Sequence, residues 1–395
     1  MLTADQTAII KATVPILETG GEALTTHFYK IMLSEYPQVR PLFNQAHQAS
    51  GAQPRALANG VLMYAKHIDH LQDLGNLATQ IVNKHVSLQV LPEHYPVVGA
   101  CLLRAIREVL GPDTATDAVI DAWAAAYQQL ADILISAETN VYDKLAAAPG
   151  GWRAARPFRV AQKVKESAEI TSFYLEPMDG QPVVDFAPGQ YLGLRLAVGE
   201  QEVRRNYLLS AAANGRSYRI SVKRESGGLA SNFLHDRIEA GSVLDVFPPS
   251  GEFTLRDSTS PLVLISGGVG ITPTLAMAEA ALAEGKRDVT FLHYTRNREV
   301  HAFGETLAGW AARYPQLRRF IVYEQGEAAD RGHAHAFGRP AIDHLRSWLP
   351  ANLDCDVYFL GPKPFMGFIK RSLATLGLPR HRAYYEFFGP AEALD

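Results

Sequence analysis

Cysteine is almost missing from this chain: Cys101 and Cys355 are the only two in 395 residues. They lie far apart without metal-ligand spacing, which argues against a disulfide framework and fits a reducing compartment. An excess of either charge is also missing, since 38 basic side chains stand against 41 acidic ones for a net charge of −3. That balance leaves no electrostatic footprint for nucleic acid or an anionic membrane, so small molecules are the expected partners. Long apolar runs are absent, and the opening MLTADQTAII lacks a basic region followed by an apolar stretch. The chain therefore reads as cytoplasmic, without membrane insertion. Internal repeats and low-complexity tracts are absent too.

What is present divides into three compositional territories, as the length suggests. Residues 1–147 are rich in alanine, leucine and other helix formers, with breaks expected at Gly20-Gly21, Tyr36-Pro37, Leu91-Pro92 and Gly111-Pro112. They predict an all-α domain. Pro149-Gly150-Gly151 can continue neither helix nor strand, and marks the clearest boundary. From 152 to 257, ITSFYLEP, QYLGLRL, RNYLLS and YRISVKRE alternate with turn clusters such as Asp179-Gly180 and Asn214-Gly215, predicting an antiparallel β-barrel. From 258 to 395, the apolar segments PLVLIS, VTFLHYT, RFIVYE and DVYFLGP alternate with helical stretches, predicting an α/β domain with a parallel sheet covered on both faces.

Within the first territory, Leu74, Leu77, Ile81, His85 and Leu88 form one stripe at helical spacing, so His85 faces inward. A core histidine satisfied by carbonyls is the plainer explanation, and a metal ligand the sharper one. The helix expected over about 115–147 puts Tyr127, Ala131, Leu134 and Glu138 on a similar stripe. A carboxylate there could snorkel to solvent. Paired with His85, it would instead accept from one ring nitrogen, fix the tautomer and raise the basicity of the other. Gln53, Leu57 and Val61 share another helical face, and Tyr29 sits among Phe28, Ile31, Met32 and Leu33. In an apolar pocket, Tyr29 and Gln53 each need a hydrogen-bond partner, which a neighbouring carbonyl or a bound polar ligand would supply.

The motifs HFYKIM, PLFNQAHQ, NKH-x-SL-x-V and PEHYPVVG occur in this order over the first 147 residues. Here the chain resembles the globin half of bacterial flavohaemoglobins, and the resemblance continues to its C-terminus. It implies haem b with His85 as proximal ligand, supported by Tyr95 and Glu138. It also implies a distal pocket of Tyr29, Gln53 and Leu57, with Phe43 wedging the haem. Lys84 can pair with a haem propionate, face the flavin domain or simply be solvated.

In the barrel, Arg205-Asn206-Tyr207 lies on a β segment, where Tyr207 can lie against a flat cofactor and Arg205 can pair with a phosphate. Pro188-Gly189-Gln190-Tyr191 precedes it. Gly227-Gly228-Leu229-Ala230-Ser231-Asn232 follows, a glycine turn opening a helix whose N–H groups suit a pyrophosphate. These segments resemble the flavin-binding barrel of ferredoxin reductases, which implies FAD held by Gln190, Tyr191, Arg205, Asn206, Tyr207, Leu208, Gly228 and Ser231. The strand PLVLIS then runs into Gly267-Gly268-Val269-Gly270-Ile271-Thr272-Pro273, where the glycines admit a pyrophosphate and Thr272-Pro273 is expected to cap the helix. This resembles the nicotinamide-binding domain of the same reductases, which also implies that Glu386 and Phe388 of the closing YEFFGP approach the flavin. Arg296 and Arg298 could take a 2′-phosphate, so NADH and NADPH both remain open.

The resemblance implies a monomeric nitric oxide dioxygenase that oxidises NO with O₂ to nitrate at a haem reduced by NAD(P)H through FAD. Whether a lipid also enters the haem pocket is left open. Two alternatives share the architecture: an alkyl or lipid hydroperoxide reductase, and a haem gas-binding or sensing protein with an impaired reductase half. The last arises from two departures. Leu208 stands where the family has a serine or threonine near flavin N5, and Leu360 where it has a cysteine before Gly361-Pro362. One neutral hydrogen bond is worth only about 0.5–1.5 kcal/mol, so FAD should bind without it. Hydride transfer depends more strictly on ring alignment. Leu208→Ser is expected to speed flavin bleaching by NAD(P)H in stopped flow; a slower variant would make the leucine an adaptation.

Overall fold

The computed structural model describes residues 2–43 and 51–386. The N-terminal part is built from helices α1 (Ala4–Ala12), α2 (Val14–Glu35), α3 (Ala52–Lys66), α4 (Gly75–Leu88), α5 (Tyr95–Leu110) and α6 (Asp117–Ala147). Caps set several ends: Thr3 and Gln6 form a capping box on α1, and the Thr116 side chain accepts from the Val119 amide at the start of α6. The expected break at Gly20-Gly21 does not occur, because α2 runs straight through it. Glycine costs about 1 kcal/mol against alanine in a helix interior. Packing outweighs that cost. A Cβ on Gly21 would already touch Ala58 of α3 at 3.5 Å, and the buried Thr25 hydroxyl donates to the Pro54 carbonyl across the same contact at 2.8 Å.

The segment after α6 is a tight joint. Gly150 has φ +72° against the Val183 backbone, and a Cβ on Gly151 would collide with the Leu145 carbonyl. Six antiparallel strands follow: β1 (Arg156–Lys165), β2 (Ile170–Pro177), β3 (Tyr191–Val198), β4 (Gln201–Leu208), β5 (Tyr218–Lys223) and β6 (Val243–Val246). Their order is β4-β3-β6-β1-β2-β5, and a bridge between Leu209 and Ile220 brings the two ends of the sheet together. The result is the expected barrel, cored by Phe158, Phe173, Leu192, Leu194 and Tyr218, with helix α7 (Leu229–Arg237) against it.

The last part is a parallel sheet of β7 (Leu262–Gly267), β8 (Val289–Thr295), β9 (Leu317–Tyr323), β10 (Ala336–Phe337), β11 (Asp356–Leu360) and β12 (Ala383–Tyr385), ordered β10-β9-β8-β7-β11-β12. Helices α8 (Ile271–Glu284) and α9 (Gly304–Arg313) cover one face, and α10 (Ile342–Trp348) and α11 (Lys363–Leu376) the other. The order reverses between β7 and β11. In open α/β sheets ligands bind at the strand C-termini beside such a reversal.

Two buried imidazoles stack on the α8–α9 face. His293 and His301 have ring centroids 5.3 Å apart; His293 Nδ1 bonds the Ser266 hydroxyl and His301 Nδ1 the Tyr323 hydroxyl, each at 2.9 Å. Burial, reinforced by Arg319 and His333, brings the pKa of His301 down to about 4, and burial with His301 beside it holds His293 well below the usual range. A histidine with a lowered folded pKa takes up its proton more readily once unfolded. Its contribution to stability is therefore complete above about pH 6.5 and is lost as pH falls toward 4. His301 alone should remove about 3 kcal/mol across that window. Native-state hydrogen exchange of the β8 and β9 amides should show the loss, and His301→Phe should flatten it.

Candidate functional site

Helix α4 presents His85 near its C-terminal end, and its sequence stripe is half-buried at Leu74, Leu77, Ile81, His85 and Leu88. The fully buried side chains of that stretch are Val82, Val86, Ser87 and Gln89. The offset positions hold the helix to α6 and the barrel. His85 Nδ1 lies 2.7 Å from Glu138 Oε1 and 3.2 Å from the Tyr95 hydroxyl, which donates to the same carboxylate oxygen at 2.6 Å. Glu138 is 2% exposed, and its Oε1 is the shared partner of both groups. Nδ1 carries the proton, and the Nε2 lone pair is left for a ligand. Burial and the Glu138 carboxylate push the Tyr95 pKa well up, keeping its hydroxyl a donor.

Further hydrogen bonds brace this triad. Tyr127 donates to the Tyr95 carbonyl at 2.6 Å, and Tyr142 to the Val90 carbonyl at 2.9 Å. A Cβ on Gly99 would press 2.6 Å from the Tyr127 ring, so glycine makes that tyrosine's place. Sequence reasoning put Tyr127 on the stripe without a role and missed Gly99 and Tyr142. The glycine inside an apolar helix was the available signal. No cluster of three or more histidine, cysteine or carboxylate ligands exists among the described residues, whereas one oriented imidazole suits a haem iron.

In the same helical domain, Tyr29 is buried edge-on to Phe28 at 4.9 Å and to Phe43 at 5.5 Å, and Gln53 and Leu57 of α3 are half-buried. The asparagine and glutamine of PLFNQAHQ, with the rest of 44–50, lie outside the described residues, as does Phe388.

In the barrel, the expected flavin residues come together around β3 and β4, with different tasks for some. Gln190 is a loop brace: its Nε2 donates to the Gly251 carbonyl and its Oε1 accepts from the Ala187 amide, both at 3.0 Å. Ser231 likewise accepts from the Glu225 amide at 3.1 Å, folding its hydroxyl into the loop. The helix end beside it fits the expectation better, since α7 starts at Gly228 with no side-chain cap on its amides. Arg205 donates to its neighbour's carbonyl at 2.7 Å and lies beside Tyr207, whose hydroxyl is pushed up by burial. Asn206 Oδ1 is buried without a partner among the described residues. Lys84 and Glu386 face each other near Tyr191. Burial lowers the Lys84 pKa against the pull of Glu386, and burial raises Glu386 to about 7, opposed by Lys84 and reinforced by Glu252.

In the nucleotide domain, Gly267 ends β7 and Gly268, Val269 and Gly270 make a single 3-10 turn into α8. The helix starts at Ile271, earlier than expected. Thr272 is not its cap: the buried hydroxyl bonds the Val269 carbonyl at 3.1 Å, and Pro273 continues the first turn. A Cβ on Gly270 would collide with the Leu360 carbonyl, while Gly268, at φ +55°, has open space beside it. Such a turn can seat a pyrophosphate. Arg296 is already paired with Glu169 of the barrel, leaving Arg298 as the arginine of that loop for a 2′-phosphate. Leu208 and Leu360 are both buried.

Three family models match along the chain: Globin over residues 26–134, the oxidoreductase FAD-binding domain over 157–255 and the oxidoreductase NAD-binding domain over 264–371. The chain is 65% identical to the flavohemoprotein of Burkholderia sp. strain TH2 over 395 residues, covering 100% of both. It belongs to the flavohemoprotein family. The Pseudomonas aeruginosa flavohemoprotein is 63% identical, again over 100% of both chains. Among solved structures, the flavohemoglobin of Malassezia yamatoensis with bound FAD and heme superposes with a TM-score of 0.86 at 26% identity, covering 98% of this chain and 100% of that one. The FAD/NAD-binding domain of nitric oxide dioxygenase from Vibrio cholerae O1 biovar El Tor covers 60% of this chain and 100% of its own, at 36% identity and TM-score 0.56. Haem, FAD and a nicotinamide nucleotide are thus the cofactors of this flavohemoprotein, and it is an oxidoreductase. No helix among the described residues is long and apolar enough to cross a membrane.

Glu138→Gln keeps the side chain's shape and removes the charge that polarises His85. Haem should still be incorporated, and its reduction potential should rise in a spectroelectrochemical titration. An unchanged potential would mean that the carboxylate does not act on the iron.

Proposed function

We propose that this flavohemoprotein is an NAD(P)H-dependent nitric oxide dioxygenase. The overall change balances as two NO and two O₂ with one NAD(P)H giving two nitrates, NAD(P)⁺ and one proton. When bound, FAD divides the hydride's electron pair into single electrons and haem iron holds the gas.

The observation carrying this reading is the closed His85–Glu138–Tyr95 hydrogen-bond set, in the same helical domain as Tyr29 buried against Phe43. His85 would be the proximal ligand through Nε2, made a strong donor by the buried carboxylate, with Tyr95 holding that carboxylate in place. Tyr29 would donate a hydrogen bond to oxygen chemistry in the distal space, where Phe43 and Leu57 exclude water and Gln53 adds a second polar group. Gas-sized substrates need no wide cleft. On the reductase side, Arg205, Asn206, Tyr207 and Tyr191, with the amides after Gly228, would hold FAD. The turn Gly267–Gly270 would hold the nucleotide pyrophosphate, and Glu386 would close over the flavin.

Nitrate yield per nicotinamide oxidised tests the proposal directly: two nitrates support it, and consumption of a hydroperoxide with no nitrate from NO overturns it. Tyr29→Phe should lower turnover and raise the KM for O₂, by about 1–3 kcal/mol in total if one buried hydrogen bond is lost. Unaltered kinetics would return Tyr29 to the hydrophobic core.

A further inference from the structure

Successive residues of a strand point to opposite faces, so Arg204 and Asn206 of β4 share the face turned from Arg205 and Tyr207. That face meets the end of α4. Arg204 Nη1 donates to the Leu88 carbonyl at 2.7 Å and the Gln89 carbonyl at 3.2 Å. These belong to the turn where helical partners run out, for Gln89 is in the left-handed region at φ 57°. A cation there also meets the negative end of the helix dipole. The guanidinium is anchored from behind: Nε donates to Glu202 at 2.8 Å, its plane lies 5.5 Å from the Phe247 ring centroid, and the side chain is only 17% exposed.

Two neighbours strengthen the grip. Asn206 Nδ2 donates to the buried Ser87 hydroxyl at 2.8 Å, which itself donates to the Lys84 carbonyl at 2.8 Å. On β3, a Cβ at Gly193 would collide with the Ser87 carbonyl, so the barrel and helix backbones touch directly. Ser87, Leu88 and Gln89 are therefore held by the barrel, and they begin two residues after His85.

We propose that Arg204 is a positioning residue for electron transfer from flavin to haem: it pins the C-terminal turn of the His85 helix to the flavin barrel, and so fixes the separation of the two redox sites. The inference rests on the flavin-to-haem electron chain of the preceding reading and is independent of whether nitrate is the product. Hydride from NAD(P)H would supply the flavin with an electron pair, of which one electron would reduce the haem iron from ferric to ferrous while the other stays on the flavin until the iron is reoxidised. The rate of that second step falls steeply with separation. Arg204 also places a positive charge at the C-terminal end of the His85 helix.

Anaerobic stopped flow of the holoenzyme with NAD(P)H resolves flavin bleaching from haem reduction. Arg204→Met should leave the first phase unchanged and slow the second by up to about a hundredfold, the cost that a misplacement of about 1 Å can carry in other aligned reactions. Its haem potential should fall with loss of the cation. Exchange of amides 86–90 should accelerate in both the holoprotein and the haem-free protein, while that of α5 should not. Arg204→Lys keeps the charge without the two-carbonyl fork. It should restore the potential and only part of the rate. A methionine variant with wild-type haem reduction overturns the proposal. So does one whose flavin phase slows in parallel, because Arg204 would then belong to the flavin site. Neither NO nor O₂ is present, so the nitrate test can fail or succeed separately.

Discussion

Glu138 is an anion between helices, and that is the constraint around which the helical domain is arranged. A buried carboxylate costs several kcal/mol unless neighbours replace its hydration. Tyr95 from α5 and His85 from α4 do so, and their donation to one oxygen fixes how those helices sit on α6. Tyr127 and Tyr142, also from α6, tie the backbones of the same partners. The imidazole is oriented as a by-product of satisfying the charge. Its outward nitrogen then has one direction in which to act.

Much of this was legible in the sequence because each oddity broke a pattern. His85 and Glu138 were polar groups on helical stripes, which made their pairing one of the open readings, and the structure brings them to 2.7 Å. The three domain types were legible for a similar reason, since a helical period, an alternating period and continuous apolar strands are hard to mistake for one another. Other features were opaque because the sequence does not show which tertiary contact wins. Gly20-Gly21 reads as a break until α3 packs against it. Gln190 and Ser231 also accept from loop amides, a bracing task that their motifs do not announce. Thr272 reads as a cap, but a 3-10 turn of glycines starts the helix first.

The contact between halves was the least legible part. Arg204 stands beside an arginine that the flavin motif claims, and nothing local says that successive side chains of one strand serve different domains. Asn206 joins Arg204 there: its amide nitrogen is committed to Ser87 of the helical domain. The charges of Lys84 and Glu386 also act across the halves, and burial raises the carboxylate pKa to about 7.

Gly193 carries a consequence for how a chain like this can be rebuilt. A helical domain and a reductase look like interchangeable parts, and a recombined protein would keep every side chain of both sites. Yet the strand offers the helix only a gap the size of a missing methyl group, where the Ser87 carbonyl rests. A donor reductase with alanine there would hold the two halves apart like a shim in a hinge, each intact and correctly loaded but poorly wired to the other. Compatibility between such halves is therefore decided at one hydrogen atom on the seam.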